Sequence, residues 1–152
     1  MYKSQWSTSD FDAMSWHDVN IHGFRLDKEN PDHGTADIIF DIDYILEWVD
    51  AGQAFTFVIA QASLRFHEAS DLRLSLDYKT PTAGMCSFSL DGIERREITY
   101  VTGARSFEWE LNINWPLGKI EFASPGFTQA LVGPTHRQSE QSLAPGLRTY
   151  TP

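Results

Sequence analysis

Asp41 and Asp43 stand two residues apart in a run that alternates apolar and acidic side chains, Ala36-Asp37-Ile38-Ile39-Phe40-Asp41-Ile42-Asp43-Tyr44. A strand sends residues i and i+2 to the same face, so both carboxylates project together. The preceding run, Ser15-Trp16-His17-Asp18-Val19-Asn20-Ile21-His22, places Asp18, Asn20 and His22 on one phase, opposite Val19 and Ile21. If the two runs are neighbouring strands, two carboxylates and one or two imidazoles share a surface. That donor set suits a divalent transition metal, which would also relieve the repulsion between the aspartates. His22, Asp41 and Asp43 are therefore the metal candidates. The competing reading is a solvated polar face whose acids are neutralised by Arg25, Arg65 or Arg73. Neither H-E-x-x-H nor paired C-x-x-C occurs, and no cofactor is called for.

Other chemistry is thinner. His17 and Asp18 are adjacent, and neighbours on a strand point to opposite faces, so adjacency does not make them a dyad. Cys86 alternates in phase with Phe88 and Leu90 and reads as a small core residue. Glu108 and Glu110 share a strand face, as an acid pair of a glycosidase would, but that spacing is common. G-x-S-x-G, P-loop and G-x-G-x-x-G signatures are missing. Trp48, Phe55, Phe57, Trp109 and Trp115 are enough aromatics to line a ligand cavity in a barrel. Trp16 and Trp115 also suit surface anchoring of a protein partner. The candidate binding residues are thus His17, Asp18, His22, Asp41, Asp43, Trp48 and Trp115.

Strands must position these groups. Asn30-Pro31-Asp32-His33-Gly34 separates the first two runs with residues that favour tight reversals, which predicts a β-hairpin. Val19 and Ile21 lie on one phase and Phe24 and Leu26 on the other. Gly23, at the slip, predicts a β-bulge that turns all four inward. The second strand faces the core with Ala36, Ile38, Phe40, Ile42 and Tyr44. The stretch Tyr44–Val49 extends that strand or makes a helical turn. Phe55–Ile59, Leu64–Phe66 and Leu72–Tyr78 read as separate strands, the last with Leu72, Leu74, Leu76 and Tyr78 facing in. Asp91-Gly92 predicts a hairpin turn between Cys86–Leu90 and a charged edge strand, Ile93–Tyr100. Phe107–Trp115 alternates cleanly, Pro116-Leu117-Gly118 reverses it into Lys119–Ala123, and Phe127–Val132 is a last strand or a helical turn. Eight to ten strands and almost no helical period make an all-β antiparallel fold, a sandwich or a partly open barrel, with at most short helices. Residues 1–14 read as an N-terminal arm, 15–132 as one domain, and 133–152, where prolines sit among aperiodic polar residues, as a flexible tail.

Composition bounds the partners. The chain has 152 residues, 21 acids against 12 bases, and a formal net charge of −9. Such a charge disfavours nucleic acid and anionic membrane, whose binding draws on basic footprints, and suits a basic protein partner. One cysteine leaves no internal disulfide and points to a reducing, cytoplasmic setting. The polar start carries no apolar signal region, and no run approaches a membrane span. Edge strands leave self-pairing into a homodimer open.

Trp16-His17-Asp18 opens a strand, Asp41-Ile42-Asp43 marks the next, an L-x-F-H-x-x-x-D-L run spans Leu64 to Leu72, and Asn114-Trp115-Pro116 makes a turn. In this pattern the sequence resembles a group of uncharacterised bacterial proteins. More remotely it is similar to immunity proteins of polymorphic toxins, whose first strand also carries a His-Asp pair. The first resemblance brings no activity. The second implies an immunity role, in which acidic surface meets a cationic toxin. The expectation is a non-enzymatic interaction module working through its acidic hairpin face. Its rivals are a small-ligand carrier and a metal-dependent enzyme at the same face.

Overall fold

The structure is a computed structural model that describes residues 1–149; Tyr150–Pro152, the end of the expected tail, lie outside the described residues. Its strands are β1 (Gln5–Ser7), β2 (Asn20–Asn30), β3 (Thr35–Asp50), β4 (Phe55–Asp77), β5 (Phe88–Thr99), β6 (Arg105–Trp115), β7 (Leu117–Ser124), β8 (Gly126–Leu131) and β9 (His136–Gln138). Short 3-10 turns cover Thr8–Ala13 and Pro145–Leu147. All strand pairings are antiparallel, and six strands close a ring in the order β2-β3-β4-β7-β6-β5. The all-β expectation therefore holds, and the ring makes it a barrel. No described helix is long and apolar enough to cross a membrane.

β4 makes the closure feasible. One of its edges pairs with β3, from Phe55 to Ala69. The other is shared by β9 at Phe57–Ile59, β8 at Ala62–His67 and β7 at Ser70–Asp77. The sequence splits this segment into three strands; the structure makes it one strand of 23 residues. Glu68 (φ +45°) and Asp71 (φ +56°) put left-handed kinks where the alternation slips, so the chain bends without breaking its ladder.

The same physics corrects the Asp91-Gly92 turn. No hairpin forms there. β5 runs straight through, with register shifts on both sides of Leu90 that restore Ile93 to the Leu111 register. The Gly23 bulge is present as expected, between Ile21 and Gly23 in the β2–β3 ladder. β3 also keeps the predicted inner face, with Ile38, Phe40, Ile42 and Tyr44 all buried.

Rings fill the barrel. Phe66 packs edge-on against Phe122 (4.7 Å between centroids) and Trp109 (5.0 Å), and Trp109 and Trp16 both approach Phe127 edge-on. Edge-to-face contacts of this kind pair the positive ring rim with a negative ring face. Arg95 sits on the inner phase of β5, its guanidinium over Phe11 (4.3 Å) and Phe107 (4.6 Å). It closes the core through cation–π contact.

Three further expectations are corrected. Cys86 is exposed, because it lies in the loop before β5, with its thiol donating to the Ala83 carbonyl. Leu72 and Leu74 share the phase of the buried Ile120 yet are 36% and 42% exposed. Leu72 lines a cleft with Leu26 at a gap: β2 meets β5 only at Asn20 and Ile21, and the wall stays open from there to the β2–β3 tip. The described residues of both terminal segments pack onto the sheet. β1 pairs with β8, and β9 pairs with β4. Leu143, inside the stretch read as a flexible tail, is buried in the core cluster.

Candidate interaction surfaces

The hairpin delivers the predicted residues to one neighbourhood. Asn20 lies opposite Asp43, Gly23 opposite Asp41, and His22 occupies the bulge between them. Across β3, Asp41 faces Ser63 and Asp43 faces Gln61. This outer face was expected to wear its acids in solvent, but the C-terminal segment lies on it. Asp43 is fully buried. Its Oδ2 accepts from His22 Nε2 (2.7 Å), the Leu143 N–H (2.9 Å) and the Ser142 hydroxyl (3.2 Å), and its Oδ1 accepts from Arg148 Nη1. Arg148 Nη2 lies 2.5 Å from Asp41 Oδ1. The Gln61 amide donates to Asp41 Oδ1 (3.1 Å) and the Thr149 carbonyl (3.0 Å), and its oxygen accepts the Thr149 N–H (2.6 Å).

The counter-charge that a metal would have supplied is thus a guanidinium drawn from the other end of the chain. Among the described residues, no three His, Cys, Asp or Glu side chains are placed to hold a metal ion. Burial, then the neighbouring Arg148 charge, push the His22 imidazole down to about 4, against a smaller upward pull from Asp41. It is a neutral donor at physiological pH, and the cluster acts as a fastening for residues 141–149.

Asp18 and His17 belong to a second polar patch. Asp18 takes a left-handed turn (φ +62°) just before β2, which brings its carboxylate within 3.6 Å of His17 Nε2. Strand alternation does not apply at that turn. Asp18 is held by the side-chain amides of Asn114 (3.2 Å) and Gln141 (3.0 Å). His17 Nδ1 meets the Asp91 carbonyl (3.0 Å) while its ring stacks on Trp48 at 6.0 Å. The five aromatics proposed to line one cavity are distributed instead. Trp48 packs with Phe55 and Phe57, Trp109 is in the core, and Trp115 is 41% exposed beside the β6–β7 turn.

A further surface is marked in the sequence only by the Glu108 and Glu110 pair. On the outer face of β5, β6, β7 and the end of β4, Glu94 lies opposite Glu110, Glu110 opposite Glu121, and Glu121 opposite Arg73. Three carboxylates therefore stand in one cross-strand row, at the roughly 5 Å strand spacing. Lys119 Nζ bridges Glu110 (2.7 Å) and Glu121 (3.7 Å), and that bond, first of several influences, holds the Glu110 carboxyl below its usual range. Glu108 is paired with Arg96. The surface forms a depression of about 330 Å³ whose rim also includes Asp71. The outward phase of each glutamate was legible; the register that lines them up was not. Compared with protein-family models, curated proteins and solved structures, the chain matches none.

Proposed function

We propose that this protein is a non-enzymatic interaction module that receives a basic segment of a partner protein in the concave face of β5, β6 and β7. The observation that carries this reading is the in-register row Glu94–Glu110–Glu121. Like charges directly opposite one another weaken a sheet. Here one lysine and one highly exposed arginine offset three carboxylates, so the row has a net negative charge to offer. A cationic partner would relieve that repulsion and gain both steering and orientation. The remote likeness to immunity proteins fits, a basic toxin being a partner of this chemistry. The acidic hairpin face is a poorer docking surface, because Arg148 and residues 141–149 already cover it.

The test compares wild type with the triple variant Glu94→Gln, Glu110→Gln, Glu121→Gln. Both are titrated with an oligo-lysine peptide and used as bait in extracts of the native host. The expected result is peptide binding that weakens with salt and falls at least about tenfold in the variant, together with a basic captured protein that the variant fails to hold. Binding that ignores the triple substitution would overturn the assignment.

A further inference from the structure

The gap in the barrel wall exposes more than apolar side chains. Among the described residues, no strand pairs with the outer edge of β2 beyond Ile21, so the backbone from Gly23 to Asp27 presents a free ladder edge. Free edges are templates for another strand. Phe24 (41% exposed) and Leu26 (47%) project from the core side of this edge. Leu26 also opens onto a cleft of about 340 Å³ that includes Ile38, Ala69 and Leu72. On the opposite face stand Arg25 and Asp27, both solvent-accessible.

The order of these residues selects the occupant. Consider the β2 edge meeting its own copy antiparallel, with Leu26 on the two-fold axis. Leu26 then faces the second Leu26, Arg25 faces Asp27 of the copy, and Asp27 faces its Arg25. Both ion pairs are attractive, and both apolar clefts close on the same side. Shifting the axis to Arg25 would oppose two arginines and forfeit the match. Lys28, at φ +49°, breaks the strand geometry just beyond Asp27 and limits the seam to this short core. An isologous contact needs a self-complementary patch of this kind. We propose that two copies of this chain associate through the Gly23–Asp27 edge of β2, antiparallel, with Leu26 at the axis. This surface is separate from the glutamate row, and either reading can fail without the other.

Sedimentation velocity over a concentration series tests it. Wild type is expected to shift from monomer toward dimer. Arg25→Asp and Asp27→Arg each place like charges across the seam and should raise the dissociation constant by about a hundredfold or more. An equimolar mixture of the two variants restores both pairs and should recover a heterodimer. Asp27 also accepts from Arg65 (3.0 Å), so folding of the second variant is checked by circular dichroism. Leu26→Cys in a Cys86→Ser background gives an independent readout. With Leu26 on the axis, mild oxidation should yield a symmetric disulfide-linked dimer, which Arg25→Asp suppresses. Monomer at every concentration, association indifferent to the charge exchange, or no cross-link at position 26 would overturn the proposal.

Discussion

Replacing Arg148 by alanine isolates the fastening between the C-terminal segment and the barrel. Asp43 has no exposed surface, and Arg148 retains only 11% of its side-chain exposure. Breaking such a pair from one side leaves a carboxylate desolvated without its cation, typically about 3–5 kcal/mol. Asp43 keeps the Leu143 N–H, the Ser142 hydroxyl and His22. The expected loss is therefore near the lower end, about 3 kcal/mol. For a chain of this length that is roughly 6–12 °C in melting temperature. The variant should also weaken the acid response. In the wild type, His22 titrates at about 4 when folded and 6.5 when unfolded. Stability is complete above 6.5 and falls as the pH drops toward 4, because the unfolded chain takes up the proton first. At about 1.4 kcal/mol per unit, that difference amounts to about 3 kcal/mol. Without Arg148, the Asp43 charge faces His22 alone and the imidazole should gain a proton at higher pH. Burial still holds it low, so mild acid should then cost the variant less stability than it costs the wild type. Urea denaturation between pH 4 and 8, with imidazole NMR shifts of His22, reads both effects. A loss below about 1 kcal/mol, or a His22 titration unchanged from wild type, would refute the buried-clamp account.

Three other outcomes are expected. Asp37→Ala should cost about 2–4 kcal/mol by equilibrium denaturation, because it strips acceptors from Arg65 (2.6 Å) and the Glu68 N–H (2.9 Å). Burial, the largest single influence on Asp37, pushes its carboxyl up, but those two bonds together with the His67 and Arg65 charges hold it low. Its contribution is thus present above the ordinary aspartate value of 3.8 and lost as pH falls through the lower folded value, a slope the alanine variant should lack. Gly118→Ala should destabilise by more than about 1 kcal/mol in thermal melts, since a Cβ there would lie 2.3 Å from the Ser75 carbonyl oxygen in the β4–β7 ladder. Glu94→Lys should raise stability by about 0.2–1 kcal/mol by placing a cation opposite Glu110, while weakening capture of a basic partner.

Strand existence and facing were legible where alternation is local. Ala36 to Tyr44 announced the inner wall, and Gly23 announced its bulge, because both signals lie within a few residues of their effect. The long strand β4 was read as three, since a slip in phase at Glu68 or Asp71 looks the same whether the chain bends or stops. Gly92 misled in the same way, because a glycine that permits a turn equally permits a bulge. The nearness of the hairpin's polar residues was legible, but the residue that covers them was not. His22, Asp41 and Asp43 do converge, yet Arg148 sits in an aperiodic stretch more than a hundred residues downstream, and nothing local announces such a contact. The glutamate row failed for a related reason: each residue's face is local information, but register across three strands is not.

The double partnership of β4 has a consequence for how the chain is made. Synthesis delivers β2, β3 and β4 early, and these can zip together as neighbours. The remaining edge of β4 then stays bare until residues 117–138 leave the ribosome to occupy it. During that interval a long, largely apolar rail is open to any sticky strand nearby, and its proper partners arrive last. Truncated products ending before residue 117 should therefore clump, whereas the finished chain buries the rail.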